Sequence, residues 1–486
     1  MKKNSVAKNY IYNLTYQILT ILLPLITTPY LSRVLGAEKI GIYGYTTSIV
    51  TYFILFGSLG IAMYGQREIA YNQDNREKRS KVFWELFLIR FISLFIFIMI
   101  FVFIFCINGK YTIYYQILLI QIIANMFDIS WFFQGIEEFD KTVVRNIIVK
   151  ILSLILIFLL VKNESDLWKY FLIFVSAELI GNISIWLYIT KYINKLQIKK
   201  LNFKKHIKPT LLLFLPQIAI QIYTVLDKTM LGIMTNMSEV GFYEQAQKIV
   251  RVGTIITGAL QIVMNSRIAN AFAKKDDNEI KKCLEQSFKF TWLISTPIMF
   301  EMIGISKMFV PWFFGKDFDK IIDLMMVSSP IIIAIGLSGI IGIEYLVQTK
   351  QQKVFTKTVI YGSIINVTIN AILIPFIGGI GAAISSVIAE TGILLLQLKY
   401  FKHIFLFIEI ISFGIKNLIA GTAMLIILVL LSNNLEPTII NTFIVAISGL
   451  LVYSLMLFIF KDKFFKEILA YCKSLAYNFK RKKCDS

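Results

Sequence analysis

Residues 76–110 read REKRSKVFWELFLIRFISLFIFIMIFVFIFCINGK, and this stretch contains the pattern that decides the fold. Its part 83–107 is mostly apolar and contains two charged residues, Glu85 and Arg90. It is long enough for a helix to cross roughly 30 Å of hydrocarbon. The few residues before it carry a cluster of lysines and arginines, whereas Lys110 alone follows it. The stretch therefore predicts a transmembrane helix with one strongly basic end.

The same pattern recurs about fourteen times along the chain, and the predicted spans cover residues 9–34, 41–64, 83–107, 113–133, 143–161, 168–190, 209–233, 240–264, 290–310, 321–347, 358–376, 379–398, 406–432 and 438–460. The chain of 486 residues is 57% hydrophobic and 16% charged, which excludes a set of soluble domains. Short alternating strands typical of a membrane barrel are not found, so we predict an all-α polytopic membrane protein.

The basic residues indicate how these spans are oriented. When a basic residue at the edge of a span is counted with the adjoining segment, 36 of the 50 Lys and Arg fall in the N-terminal tail or after even-numbered spans. Only 7 follow odd-numbered spans, and the other 7 lie inside spans. Because basic loops stay on the cytoplasmic side, we predict a multi-pass protein of the cell (cytoplasmic) membrane with both termini in the cytoplasm.

The composition also limits the function classes. Most of the formal charge of +20 lies in loops that would face anionic lipid, so we expect membrane lipids as partners and no nucleic acid. We find no phosphate-binding loop, nucleophile elbow, catalytic carboxylate pair or metal-ligand spacing, and we predict a non-enzyme without metal or cofactor. His206 and His403 are expected to be solvent-facing loop residues.

A short internal repeat suggests how the chain is organised. Ile40-Gly41-Ile42-Tyr43 opens the second span and Val240-Gly241-Phe242-Tyr243 opens the eighth, with the same orientation in the membrane. Two similar lobes related by an axis along the membrane normal are typical of alternating-access transporters. We therefore predict two pseudo-symmetric six-helix bundles at 1–199 and 200–403, an appended helix pair at 404–460, and a basic cytoplasmic tail at 461–486.

Span 8 carries the charged residues that are deepest in a predicted span. Glu244, Lys248 and Arg251 are spaced i, i+4 and i+7, so they share one helix face. Such a face cannot point to lipid and must face the bundle interior. It either lines a wet cavity or forms an internal ion pair between Glu244 and Lys248.

Two further polar stripes accompany this face. They comprise Gln217, Gln221, Thr224 and Lys228 in span 7, with Asp227 beside them, and Asn13 and Gln17 in span 1. Such amide and hydroxyl faces line a pathway or hold helices together. A cavity carrying Arg251, Lys248 and Lys228 would suit an anionic group such as phosphate. Four carboxyl groups are candidates for proton or sodium coupling: Glu244, Asp227, Glu178 and Glu390.

Several motifs resemble those of a known family. They are Pro29-Tyr30-Leu31-Ser32-Arg33-Val34-Leu35-Gly36, Gly65-Gln66-Arg67-Glu68-Ile69-Ala70, Trp131-Phe132-Phe133-Gln134-Gly135, Asp227-Lys228-Thr229-Met230-Leu231-Gly232 and Phe314-Gly315-Lys316-Asp317-Phe318. They are similar to motifs of Wzx-type lipid-linked oligosaccharide flippases, in the multidrug/oligosaccharidyl-lipid/polysaccharide exporter superfamily. They occur in the right order over about the first 350 residues.

The resemblance implies two six-helix bundles around a central cationic cavity. It implies that the chain flips an undecaprenyl-pyrophosphate-linked glycan repeat unit to the outer leaflet for surface polysaccharide synthesis, alongside polysaccharide polymerase machinery and coupled to an ion gradient. Two alternatives are a proton- or sodium-coupled multidrug exporter, which would have a carboxylate-rich cavity, and a membrane-embedded polysaccharide polymerase. The short outer loops argue against a polymerase.

Overall fold

The structure, a computed structural model, describes residues 6–196, 201–470 and 474. Within these ranges it describes only the backbone of residues 6–18, 21, 139–140, 212–213, 215–217, 219–220, 222–223, 259 and 262. The side chains of the predicted site residues Asn13, Gln17 and Gln217 thus lie outside the described part of the protein. All the regular elements in the described ranges are helices, which confirms the all-α prediction.

The chain forms two compact units, Met1–Glu244 and Gln245–Ser486. The helices of the first unit are α1 (Val6–Ser58), α2 (Ile61–Tyr71), α3 (Arg76–Phe101), α4 (Thr112–Met126), α5 (Ser130–Gly135), α6 (Phe139–Leu160), α7 (Leu167–Ser184), α8 (Trp186–Ile189) and α9 (Lys204–Met234). Helix α10 (Met237–Thr257) begins in the first unit and ends in the second. The two compact units meet between residues 244 and 245, whereas the predicted lobes, which are based on the sequence repeat, meet between residues 199 and 200. The predicted lobe boundary stays a prediction.

The helices of the second unit are α11 (Gln261–Lys274), α12 (Asp277–Phe313), α13 (Lys320–Ser328), α14 (Ile331–Gly339), α15 (Gln352–Ile377), α16 (Gly379–Phe401), α17 (Phe407–Asn434) and α18 (Ile439–Ile459). Short π-helical segments, Val102–Cys106 and Ile340–Val347, extend α3 and α14. Side chains cap several helices at their first turn: Asn75 Oδ1 accepts a hydrogen bond from Lys78 N, and Asp276 Oδ1 from Glu279 N.

Eleven helical segments of the described chain are long and apolar enough to cross a membrane. One of them, Leu22–Tyr71, contains the end of the first predicted span and all of the second. The backbone at Gly36 is not helical, with φ of 71° and ψ of 170°, so α1 consists of two helices that meet at a kink and correspond to the two predicted spans. Predicted spans 7 and 8 correspond to α9 and to α10 with α11. The polytopic membrane fold is thereby confirmed.

Large apolar side chains cover the outside of both units. Phe376 is 83% exposed, and Phe103 and Ile408 are each 77% exposed. Contiguous apolar surface of this kind is unfavourable in water and is expected where helices face lipid. The interior of the first unit is an aromatic cluster around Trp131 and Phe83, which lie on α5 and α3.

The segment between α8 and α9 is fastened to α3. The carboxylate of Glu85, which is fully buried, accepts hydrogen bonds from Asn202 N at 2.7 Å and lies 2.8 Å from both Lys205 Nζ and His206 Nε2. The other ring nitrogen of His206 lies 2.9 Å from the hydroxyl of Tyr64 on α2. The prediction that His206 faces solvent is wrong, because this ring is 2% exposed and completes a buried polar network.

Candidate functional site

A tight helical hairpin brings two predicted site regions together in the first unit. Helices α9 and α10 are joined by Thr235 and Asn236 alone, and Asn236 Oδ1 accepts a hydrogen bond from Glu239 N at 3.0 Å. This side-chain cap satisfies a free amide of the first turn of α10. Because the connection is so short, residues seven or eight positions before it lie opposite residues seven or eight positions after it.

The charged residues of this hairpin are paired across it. Lys228 Nζ lies 2.5 Å from Glu244 Oε2, and the hydroxyl of Tyr243 donates to Asp227 Oδ2 at 2.5 Å. The structure joins Glu244 to Lys228, and the ion pair between Glu244 and Lys248 that the sequence offered stays a prediction. Tyr243 is a site residue that sequence reasoning missed, although it ends the Gly-Phe-Tyr motif of span 8.

Helix α1 packs tightly against both arms of the hairpin. A Cβ atom at Gly41 would lie 1.6 Å from the carbonyl oxygen of Met237, and one at Gly241 would lie 1.9 Å from that of Ala37. Farther along α1, Ser48 Oγ lies 2.8 Å from Thr229 Oγ1. The two glycines of the internal repeat therefore contact each other, because only a residue without a side chain allows the two backbones to approach this closely.

Arg251 lies on the part of α10 that belongs to the second unit. On one face of this part, Val250 and Gly253 pack against Ile332 of α14 and Ile298 of α12. Arg251 lies on the opposite face, where its side chain is exposed. Among the residues that the structure describes, its guanidinium has no carboxylate within ion-pair distance. It is thus a cation within a predicted span that remains available to a ligand.

The remaining polar residues of span 7 are accessible as well. Gln221 is exposed, Thr224 is half-buried, and the Thr224 hydroxyl donates to the carbonyl oxygen of Gln221 at 3.0 Å. This bond directs the Thr224 donor to a backbone acceptor on its own helix. Their predicted role in substrate binding stays a prediction.

Glu178 of α7 belongs to a polar chain that crosses the first unit. Asn125 Nδ2 donates to Glu178 Oε1 at 3.2 Å, and Asn125 Oδ1 accepts from Arg90 Nη2 at 3.4 Å. Arg90 in turn lies 3.7 Å from Asp128 Oδ2. Arg90 is 3% exposed, so this chain of polar contacts is buried at its arginine. Asn125 and Asp128 were missed, and their i, i+3 spacing before the Trp131 motif is the available signal.

Glu390 of α16 lies in a second polar region, inside the second unit. It is 4% exposed and follows Ser386 by one helical turn. Asn366 Nδ2 lies 3.5 Å from Ser386 Oγ, and Asn370 Nδ2 donates to Asn366 Oδ1 at 3.1 Å. A group of three His, Cys, Asp or Glu side chains able to hold a metal ion is not found in the described ranges.

The fold defines a helical, multi-pass membrane protein. A model of the family described as polysaccharide biosynthesis protein matches residues 6–266, so the chain belongs to that family. It is 24% identical over 408 residues to a putative O-antigen transporter of Escherichia coli (strain K12), covering 82% of this chain and 98% of the relative. The family assignment agrees with the resemblance expected from the motifs.

Two solved structures show a similar fold. The inward closed conformation of the lipid II flippase MurJ aligns with 95% of this chain and 100% of its own length, at a TM-score of 0.75 and 17% identity. An inward-facing multidrug resistance MATE family transporter aligns with 83% of this chain and 98% of its own length, at a TM-score of 0.63 and 13% identity. At these identities the likeness concerns the fold alone.

Proposed function

We propose that this protein flips an undecaprenyl-pyrophosphate-linked oligosaccharide repeat unit from the cytoplasmic to the outer leaflet of the cell membrane, for surface polysaccharide synthesis. Membership of the polysaccharide biosynthesis family supports the proposal, as do the name of the E. coli relative and the MurJ-like fold. The observation that carries it is Arg251, an exposed guanidinium within a predicted span.

A guanidinium suits the anchor group of such a substrate. Its planar set of donors binds two oxygens of one phosphate at once, and these charge-assisted bonds are stronger than neutral ones. A pyrophosphate is the common element of lipid-linked glycans, whereas the sugars differ. One fixed cation that holds the pyrophosphate would therefore leave the polar side chains, such as Gln221 and Thr224, to contact the sugars.

Movement of the substrate would occur by alternating access. In this scheme the helices around the pathway separate first on one side of the membrane and then on the other. The glycine contact between α1 and α10 supports a gate at Gly41 and Gly241. The two backbones meet there without an intervening side chain, because small residues at such a contact let helices approach closely.

The driving force would be electrical and ionic. Moving one elementary charge across 100 mV is worth about 2.3 kcal/mol, so an inside-negative membrane favours outward movement of a pyrophosphate anion. Glu178 and Glu390 are the leading groups for proton or sodium coupling. The other two candidates, Glu244 and Asp227, contact Lys228 and Tyr243 inside the α9–α10 hairpin.

The direct test is transport in proteoliposomes. We would reconstitute the full-length protein with a fluorescent undecaprenyl-pyrophosphate oligosaccharide and measure how fast the label becomes accessible to a membrane-impermeant quencher. We expect rapid accessibility that requires the protein and increases with an imposed potential. A potential without a proton gradient separates the two driving forces, since full activity under that condition would remove the need for a proton-carrying Glu178 or Glu390.

A parallel arm distinguishes the multidrug alternative. The same vesicles would be loaded with a fluorescent organic cation and given a proton or sodium gradient. Export of the cation together with no movement of the lipid-linked glycan would overturn the proposed function. Movement of the glycan alone would support it.

A further inference from the structure

A separate cavity lies in the second unit, where α12, α17 and the chain after α18 meet. It holds about 240 Å³. Its walls are formed by Lys289, Leu293, Ser412, Phe413, Lys416, Asn417, Lys461, Asp462, Lys463 and Phe464. Lys289, Lys461, Asp462 and Lys463 lie just outside predicted spans, on the side that the loop charges predict to be cytoplasmic. Lys416 and Asn417 lie about three turns into predicted span 13. The cavity therefore extends from the level of the lipid headgroups into the membrane.

The cavity is positively charged. Four of its lining residues are lysines, and Asp462 is the only carboxylate among the residues that line it. Asp462 Oδ1 accepts a hydrogen bond from Phe465 N at 2.9 Å, so part of its charge serves to cap the helix at 463–470. Lys289 pairs with Glu285, which lies one turn before it on α12. The remaining lysines leave an excess of positive charge around the cavity.

The floor of the cavity offers a neutral donor. The buried hydroxyl of Tyr453 lies 2.7 Å from Asn417 Oδ1 and 3.0 Å from the carbonyl oxygen of Leu293, which fixes the orientation of the Asn417 amide. The amide nitrogen of Asn417 carries two hydrogens and makes one long bond of 3.4 Å to the carbonyl oxygen of Phe413. Its second hydrogen is available to an acceptor in the cavity.

The sides of the cavity open onto surface that suits acyl chains. Phe413 and Phe464 form apolar walls, and the neighbouring residues of α17 and α18 are exposed and apolar. Ile408 of α17 is 77% exposed and Phe458 of α18 is 58% exposed. A ligand with a phosphate at one end and hydrocarbon at the other matches this arrangement, while a soluble phosphate would leave the apolar walls uncovered.

We propose that this cavity binds the headgroup phosphate of an anionic glycerophospholipid. Lys416, Lys461 and Lys463 would surround the phosphate, and Asn417 would donate to one of its oxygens. The acyl chains would lie along α17 and α18. The site belongs to the second unit alone and is independent of Arg251, so it does not depend on the transported substrate.

The test measures lipid binding to the purified full-length protein by native mass spectrometry. Phosphatidylglycerol and phosphatidylcholine would be titrated separately, and inorganic phosphate would be added as a competitor. The test variant is Lys461→Gln/Lys463→Gln, and the matched control is Lys353→Gln/Lys357→Gln. The control removes the same charge from two exposed positions on α15, at the same predicted side of the membrane.

We expect phosphatidylglycerol to bind more tightly than phosphatidylcholine. Each lysine near an anionic headgroup is worth about fivefold in affinity, so the test variant should lose roughly 25-fold and the control less than about twofold. Asp462→Asn keeps an oxygen acceptor for Phe465 N and removes the negative charge, and it should tighten binding. Folding of each variant is checked by its thermal midpoint in detergent.

Three results would overturn the proposal. The first is equal binding of the two lipids, and the second is an equal loss of binding in the test and control variants. The third is displacement of phosphatidylglycerol by inorganic phosphate at the same concentration, which would assign the cavity to a soluble anion. A rise in affinity with Asp462→Asn together with an unaffected control would support it.

Discussion

Glu244 and Arg251 lie in the parts of helix α10 that belong to different units, and they differ in whether they form an ion pair with a described residue. In the first unit, Glu244 is bound to Lys228 across the α9–α10 hairpin, and its side chain is 13% exposed. In the second unit, Arg251 is exposed on the same helix, two turns farther along. A charged residue inside a predicted span is therefore not by itself a binding group, because the partner that it meets decides whether it stabilises the fold or remains available to a ligand.

The first unit repeats the paired arrangement. Arg90 binds Asp128, and Glu85 binds both Lys205 and His206. Removing one member of such a pair leaves an uncompensated buried charge, which is far more costly than removing both. The pairs therefore predict effects on stability, whereas Arg251 predicts an effect on transport.

The largest expected effect is that of Arg251→Ala on transport. Loss of the guanidinium removes charge-assisted bonds to the pyrophosphate, and we expect the flipping rate in proteoliposomes to fall roughly 100-fold. Arg251→Lys keeps the charge but loses the planar pair of donors, so it should retain part of the activity. The thermal midpoint of both variants should match that of the wild type.

Lys274→Ala is the matched control, because Lys274 is an exposed basic residue in the last turn of α11 and lies outside the predicted cavity. Its transport rate should equal that of the wild type. If Arg251→Ala transports normally, or loses activity only through loss of folded protein, the difference between the two ends of α10 has no functional meaning.

The next effect concerns the paired end of the helix. Lys228→Ala removes the cation that lies 2.5 Å from Glu244 Oε2, and we expect a loss of about 1–3 kcal/mol in stability, lessened by the 25% exposure of the lysine. Lys228→Ala/Glu244→Ala removes both charges and should recover most of that loss. Asp227→Asn is the control, since it keeps an acceptor for Tyr243. The measurement is a double-mutant cycle of thermal midpoints in detergent.

A double variant as unstable as the single one would show that Lys228 and Glu244 do not stabilise each other. Full stability in Lys228→Ala with loss of flipping would assign Lys228 to substrate binding, as the sequence predicted. The cycle thus decides directly between the two roles of this lysine.

Much of this organisation could be predicted from the sequence, because length, hydropathy and loop charge determine spans such as 83–107 in any helical membrane protein. The polar faces were also predictable, since helical periodicity places Glu244, Lys248 and Arg251 together. Pairing was not, because it depends on the turn at Thr235 and Asn236 that brings Lys228 opposite Glu244. His206 was misread for the same reason, as its partners Tyr64 and Glu85 are more than a hundred residues away.

Gly41→Ala tests the packing that supports the paired end. An alanine Cβ would lie 1.6 Å from the carbonyl oxygen of Met237, so α1 and α10 must move apart. Overpacking of this kind costs about 1–3 kcal/mol. We expect a lower thermal midpoint together with slower flipping. Gly392→Ala is the control, since its nearest contact would be a side-chain atom of Ile365 at 3.2 Å, which can shift. Equal midpoints in both variants would contradict the close contact.

The smallest effect is a pH dependence that arises at the paired region near the α8–α9 connection. Burial lowers the pKa of His206 below its usual value of 6.5, and the positive charge of Lys205 lowers it further. The hydrogen bond to Glu85 and the negative charge of Glu68 raise the pKa, but they do not cancel the effect of burial. As the pH falls, the unfolded chain therefore binds this proton before the folded protein does, and stability is lost below about pH 6.5. The measurement is the thermal midpoint at pH values between 7.5 and 5.5. The midpoint should fall less in His206→Gln than in the wild type. His403→Gln, which alters an exposed histidine, is the control and should show the same fall as the wild type. An identical pH profile in His206→Gln would mean that the buried network of the first unit carries no titrating group of this kind.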